Sequence, residues 1–135
     1  MRNVITSYLT KPFTNSELRS AVRLWCTDHQ AAKLKYGKIE CWDVSQVTDM
    51  SYLFCDEQYF NDDISSWNVQ NVTTMERMFF EASAFNQPLN SWDVSNVNDM
   101  SYMFFEASTF NQPLNSWDVS KVIDMNYMFS RASAF

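Results

Sequence analysis

Apolar positions along the chain fall into one register that recurs every 25 residues. Trp42, Trp67, Trp92 and Trp117 mark it, and Val44, Val69, Val94 and Val119 follow two residues later. Then come Val47, Val72, Val97 and Val122, followed by Met50, Met75, Met100 and Met125. Phe54, Phe79, Phe104 and Phe129 come next, and Phe60, Phe85, Phe110 and Phe135 close the unit. Residues 84–108 and 109–133 are identical at 19 of 25 positions. A unit this short cannot bury an apolar face alone, so the period predicts a solenoid in which neighbouring units cover one another.

Inside a unit the spacing changes. Trp92-Asp93-Val94 alternates apolar and polar residues, which predicts a short strand. From Val97 the apolar positions are Val97, Met100, Met103, Phe104 and Ala107, one face of a helix about three turns long. Asn98, Thr48 or Thr73 can cap that helix, and "TTME" at 73–76 reads as a capping box. Leu89-x-x-Trp92-x-Val94-x-x-Val97 is close to a leucine-rich-repeat consensus. The expected fold class is therefore an α/β repeat solenoid, leucine-rich-repeat-like, with one short strand and one short helix per repeat. Asn61, Asn86 and Asn111 each follow a unit phenylalanine; they read either as polar loop residues in solvent or as a ladder satisfying the next turn's backbone.

The first 40 residues break the register. "TNSE" at 14–17 is a capping box for a helix with Leu18, Ala21, Val22 and Trp25 on one side. Asp28 can cap a second helix, "HQAAKLKY", which stops at Gly37, the only glycine in the chain. This divides the chain into an N-terminal helical capping segment, 1–37, and four 25-residue repeats, 38–135, the last incomplete. No matching cap is expected at the other end, where Phe135 is a core position, so self-association or further repeats are expected there.

Composition sharpens this picture. The chain carries 11 Phe, 5 Trp, 6 Tyr and 8 Met, so even short units can pack large areas. A net charge of −6 argues against nucleic acid, which needs a positive footprint. Cys26, Cys41 and Cys55 make an odd count without a CxxC pair; they read as free thiols, with a Cys26–Cys41 bridge as the alternative. The opening "MRNVITSYLTKPFT" has no apolar core of a signal peptide, and no run is long enough to span a bilayer. No localisation follows.

Candidate chemistry is sparse. His29 is the only histidine and sits at a polar helix start, and the single glycine nearly excludes a phosphate cradle. No catalytic residue, cofactor or metal set is expected, and the chain reads as non-enzymatic. Two rows are candidates for partner binding. Asp43, Asn68, Asp93 and Asp118 follow the tryptophans; they read as carboxylates bonding local backbone or as a cation row. Tyr52, Arg77, Tyr102 and Tyr127 fall two residues after each methionine, either as an exposed hot-spot row or as rings packed across the neighbouring unit.

"AVRLWCTDHQAAKLKYGKIECWDVSQVTDMSYLF" and the recurring "AFNQPLNSWDVSNVNDMSYMF" resemble the BspA-like repeat family, first grouped from mycoplasma surface lipoproteins. The resemblance covers roughly residues 13–135. It implies a leucine-rich-repeat-like solenoid, cell-surface attachment in some relatives, and no established enzymatic activity. The chain departs from those lipoproteins in lacking a signal peptide and a lipid-modified cysteine motif. The function expected is a protein- or glycan-binding or adhesion module. The alternative is a purely structural segment of a longer array whose function lies elsewhere.

Overall fold

Thr14 caps a helix, as its sequence predicts. The computed structural model describes residues 11–135, so the reading of the first ten residues lies outside the described part. Helix α1 spans Asn15–Thr27; the Thr14 side chain accepts from the Glu17 backbone N–H, and Glu17 returns the bond to the Thr14 N–H. Leu18, Ala21, Val22 and Trp25 form its buried side. Helix α2, His29–Tyr36, begins at Asp28, whose carboxylate accepts from the Ala31 N–H, and ends at Gly37 at φ 79°. That left-handed φ suits a glycine at a helix end. A short 3-10 turn, Ile39–Cys41, leads to Trp42.

Beyond Trp42 the expected α/β repeat solenoid is not what the chain builds. Among the described residues the two helices and the 3-10 turn all precede Trp42, and no strand forms anywhere. The remaining β-type pairings are isolated parallel bridges, Asp49–Thr74, Thr74–Asp99 and Asp99–Asp124. Trp92-Asp93-Val94 lies in irregular backbone, and the segment from Val97 to Ala107 holds the Asp99 bridge and a run of turns over 101–106, so Thr48, Thr73 and Asn98 cap no helix.

The reason lies in where the backbone N–H groups point. Within a unit, N–H bonds reach back three residues rather than four: Leu53 to Met50, Cys55 to Tyr52, Glu57 to Phe54. Offsets of 3, 3, 1 and 3 between apolar positions suit a run of such turns as well as a helix face. The alternate N–H groups leave the unit altogether. Met50, Tyr52, Phe54 and Asp56 donate to the carbonyls of Thr74, Glu76, Met78 and Phe80, and the pattern recurs one unit on. Tyr52, Arg77, Tyr102 and Tyr127, with Asp56, Glu81, Glu106 and Arg131, sit at φ between 54° and 63°. Each occupies the third position of its turn, where type II geometry demands positive φ. Eight non-glycine residues held there show that the bonds between units outweigh a local cost of about 1–2 kcal/mol per residue.

Like residues therefore lie in columns. Phe54, Phe79, Phe104 and Phe129 stack with ring centroids 5.5 Å apart at each step. Phe60, Phe85, Phe110 and Phe135 form a second column at 5.8, 6.0 and 5.9 Å, and the columns face each other at 4.0–4.3 Å within each unit. Each of the four repeat tryptophans is buried or half-buried and donates its indole N–H to a carbonyl of the preceding segment: Trp42 to Gly37, Trp67 to Ile39, Trp92 to Ile64 and Trp117 to Leu89. No buried side-chain polar atom among the described residues lacks a partner. The helices join at Trp42, where Phe13, Trp25 and Tyr36 all meet its ring.

The asparagines form a ladder. Asn61 Oδ1 accepts the Asn86 backbone N–H at 2.8 Å, and Asn86 Oδ1 accepts that of Asn111 at 2.9 Å. Gln87 and Gln112 each add a bond from Nε2 to the same oxygens.

Candidate binding surface

The positive φ of the turn residues turns one row of side chains outward. Tyr52 is 47% and Tyr127 63% exposed, with Arg77 and Tyr102 half-buried between them. Arg77 is held from three sides. It donates to the Tyr52 hydroxyl at 2.9 Å and to Glu76 Oε2 at 2.7 Å, and its guanidinium lies 4.3 Å from the centre of the Tyr102 ring. Tyr102 stacks in turn on Tyr127 at 5.1 Å. The row predicted from the sequence is thus one continuous surface of rings around one cation.

That surface is wider than the sequence reading made it. Phe80 and Phe105, half-buried, stack at 4.8 Å and touch Tyr102 at 6.2 and 5.6 Å. Beside them runs a column of Asp56, Glu81 and Glu106, ending in Arg131, which pairs with Glu106 at 2.8 Å and lies 6.0 Å from the Phe105 ring. The available signal was "FFEA" at 79–82 and 104–107, which departs from "FCDE" at three positions and from "FSRA" at two while the register around them holds. Burial together with the neighbouring Asp56 and Glu106 pushes the Glu81 carboxyl above its usual range.

The second predicted row is occupied locally. Asp43, Asn68, Asp93 and Asp118 each accept the backbone N–H two residues on, from Ser45, Gln70, Ser95 and Ser120, at 3.0–3.1 Å. The serine bonds hold Asp93 and Asp118 below the usual carboxylate range. Asn68 makes the same turn without a charge, which identifies the turn, rather than the charge, as what the position supplies. Among the described residues no hydrogen bond or ring contact joins this row to the tyrosines.

Elsewhere the chemistry is quiet. His29 is exposed and packs edge-on against Trp25, with ring centroids 4.0 Å apart, at the rim of a cleft of about 220 Å³. Trp25 Nε1 donates to Asp62 beneath it. Cys26, Cys41 and Cys55 are free thiols. Burial, with Glu57 nearby, pushes Cys26 up to about 12, and burial with Asp56 pushes Cys55 to about 11, so neither is a thiolate at neutral pH. Among the described residues no group of three or more His, Cys, Asp or Glu is placed to hold a metal ion, and no helix is long and apolar enough to cross a membrane.

Hydrogen bonds between neighbouring units thus set like side chains in register along the chain. The chain belongs to the family described as Mycoplasma protein of unknown function, DUF285, which matches over residues 23–135. Neither a curated protein nor a solved structure matches the chain.

Proposed function

We propose that the chain is a non-enzymatic binding module that presents its Tyr52–Arg77–Tyr102–Tyr127 surface to a protein partner. One observation carries this reading: tyrosine and arginine side chains, residue types enriched in protein-binding hot spots, are gathered on one outward face by backbone held at positive φ, with Phe80 and Phe105 packed beside them. The sequence resemblance to BspA-like surface repeats supports an adhesive role. Arrays of defined peptides and of glycans, probed with the wild-type chain and with a Tyr102→Ser/Tyr127→Ser variant, test it. Peptide binding that the variant loses, at an unchanged thermal midpoint, is expected. Binding to peptides that the variant retains in full overturns it, and binding confined to glycans reassigns the partner.

A second reading, a purely structural segment of a longer array, is favoured by the in-chain bonds that already satisfy Arg77. It expects the same variant to lower the thermal midpoint and to change no binding.

A further inference from the structure

The first unit departs from the register at three positions that meet the helices at one cavity. Glu57 stands where the later units carry Ala82, Ala107 and Ala132; Tyr59 stands for Ala84, Thr109 and Ala134; Asp62 stands for Gln87 and Gln112. With Phe60, and with Trp25, Cys26 and His29 from the helices, these three line a cavity of about 200 Å³. Trp25, His29 and Asp62 also border the neighbouring cleft, which carries Lys33 and Lys38.

Packing of the helices on the stack explains only part of this set. Asp62 belongs to the joint, because its Oδ2 accepts from Trp25 Nε1 at 2.9 Å, but its other oxygen has no hydrogen-bond donor among the described residues. Glu57 is half-buried beside the Cys26 thiol, and neither carboxylate is in an ion pair among the described residues. Half-buried, unpaired charge at a place where three other units hold a buried alanine costs stability rather than adding it. Tyr59 is 94% exposed and meets no other ring among the described residues. Its ring is open at the mouth, whereas Trp25 and Phe60 are buried and close the floor.

We propose that this cavity binds a small primary amine, with the ammonium between the Glu57 and Asp62 carboxylates and the apolar body under the Tyr59 ring. The volume lies below the roughly 300–1,000 Å³ of pockets that take drug-sized molecules, so the ligand is small. Two carboxylates with acceptor capacity to spare and a single open ring suit an ammonium that donates hydrogen bonds. A quaternary ammonium has no proton to donate and relies on several surrounding ring faces. The site is separate from the Tyr52–Arg77–Tyr102–Tyr127 surface, and its test does not depend on that reading.

Isothermal titration calorimetry of the full chain with 2-phenylethylamine at low salt tests this, beside 2-phenylethanol, phenylacetate and the N-trimethylated amine. The primary amine is expected to bind with a Kd of about 1 mM or tighter, the trimethylated amine and the alcohol several-fold more weakly, and phenylacetate not at all. Glu57→Ala and Tyr59→Ala restore residues that other units carry at these positions, so both variants are expected to fold. Glu57→Ala is expected to weaken amine binding about tenfold, the loss of one charge-assisted bond, and Tyr59→Ala several-fold. Asp118→Asn, in the column that serves local turns, is expected to change it by less than about twofold, because exposed distant charge is screened. Nitrogen-15 spectra of the wild-type chain locate the site without any variant: the amine is expected to shift the Trp25 indole N–H, which is bonded to Asp62. No binding of the amine up to about 10 mM overturns the proposal. So do equal losses from Glu57→Ala and Asp118→Asn, a trimethylated amine that binds as tightly as the primary one, or an unmoved Trp25 resonance at saturation.

Discussion

Glu81 shows how a single residue is placed against its own stability. Its backbone is left-handed at φ 56°, and its carboxyl is held above the usual range by burial and by Asp56 and Glu106. A raised carboxyl pKa means that the folded chain binds the proton more tightly than the unfolded one. Its favourable contribution is thus present below the usual carboxylate range and is lost as pH rises through the folded value. Glu81→Gln is expected to raise the thermal midpoint at pH 7, with the gain vanishing when melts are repeated below the carboxylate range. A midpoint that stays put at pH 7 would mean the repulsion is fully relieved by solvent.

At the scale of the element, the asparagine ladder divides its work unequally. Asn86 Oδ1 accepts from the Asn111 N–H and the Gln112 side chain, whereas no described residue donates to Asn111 in the same manner. Asn86→Ala is expected to cost about 0.5–1.5 kcal/mol, the net worth of the bond the Asn111 N–H loses, and Asn111→Ala distinctly less. Chemical denaturation of the two variants measures the difference, and equal costs would remove the ladder from the account. This ladder was readable in the sequence because an asparagine beside a buried phenylalanine recurs at a fixed interval. So were α1 and α2, whose caps are local chemistry: Thr14 with Glu17, Asp28 and Gly37 each act within a few residues of themselves. The units themselves were misread for a physical reason. Val97, Met100, Met103, Phe104 and Ala107 mark an inward face, but apolar spacing does not say whether an N–H bonds four residues back or crosses to the next unit. Met100, Tyr102, Phe104 and Glu106 all cross. The binding surface was half legible. Tyr52, Arg77, Tyr102 and Tyr127 stood out because their register was regular, while Phe80, Phe105 and the acidic column vary from unit to unit and become a surface only once the turns set them side by side.

For the whole molecule, the contacts that matter link each residue to one about 25 positions away. Hydrogen bonds from Met50, Met75 and Met100 reach Thr74, Asp99 and Asp124, and the phenylalanine columns step through the same interval. This arrangement has a mechanical consequence. Tension applied between the helical end and the far end acts along the bonds that join successive units, so these open one layer at a time instead of sharing the load in shear. Each layer that opens frees about 25 residues, a gain in contour length of roughly 80–90 Å. Optical-trap extension of the chain is expected to show short steps of that equal size at modest force, followed by a distinct event for α1 and α2. One rupture releasing the full length at once would show that the layers yield together. A surface bearing its side chains on such a stack would lengthen under load in measured increments, keeping the layers still closed, and whatever they hold, in place.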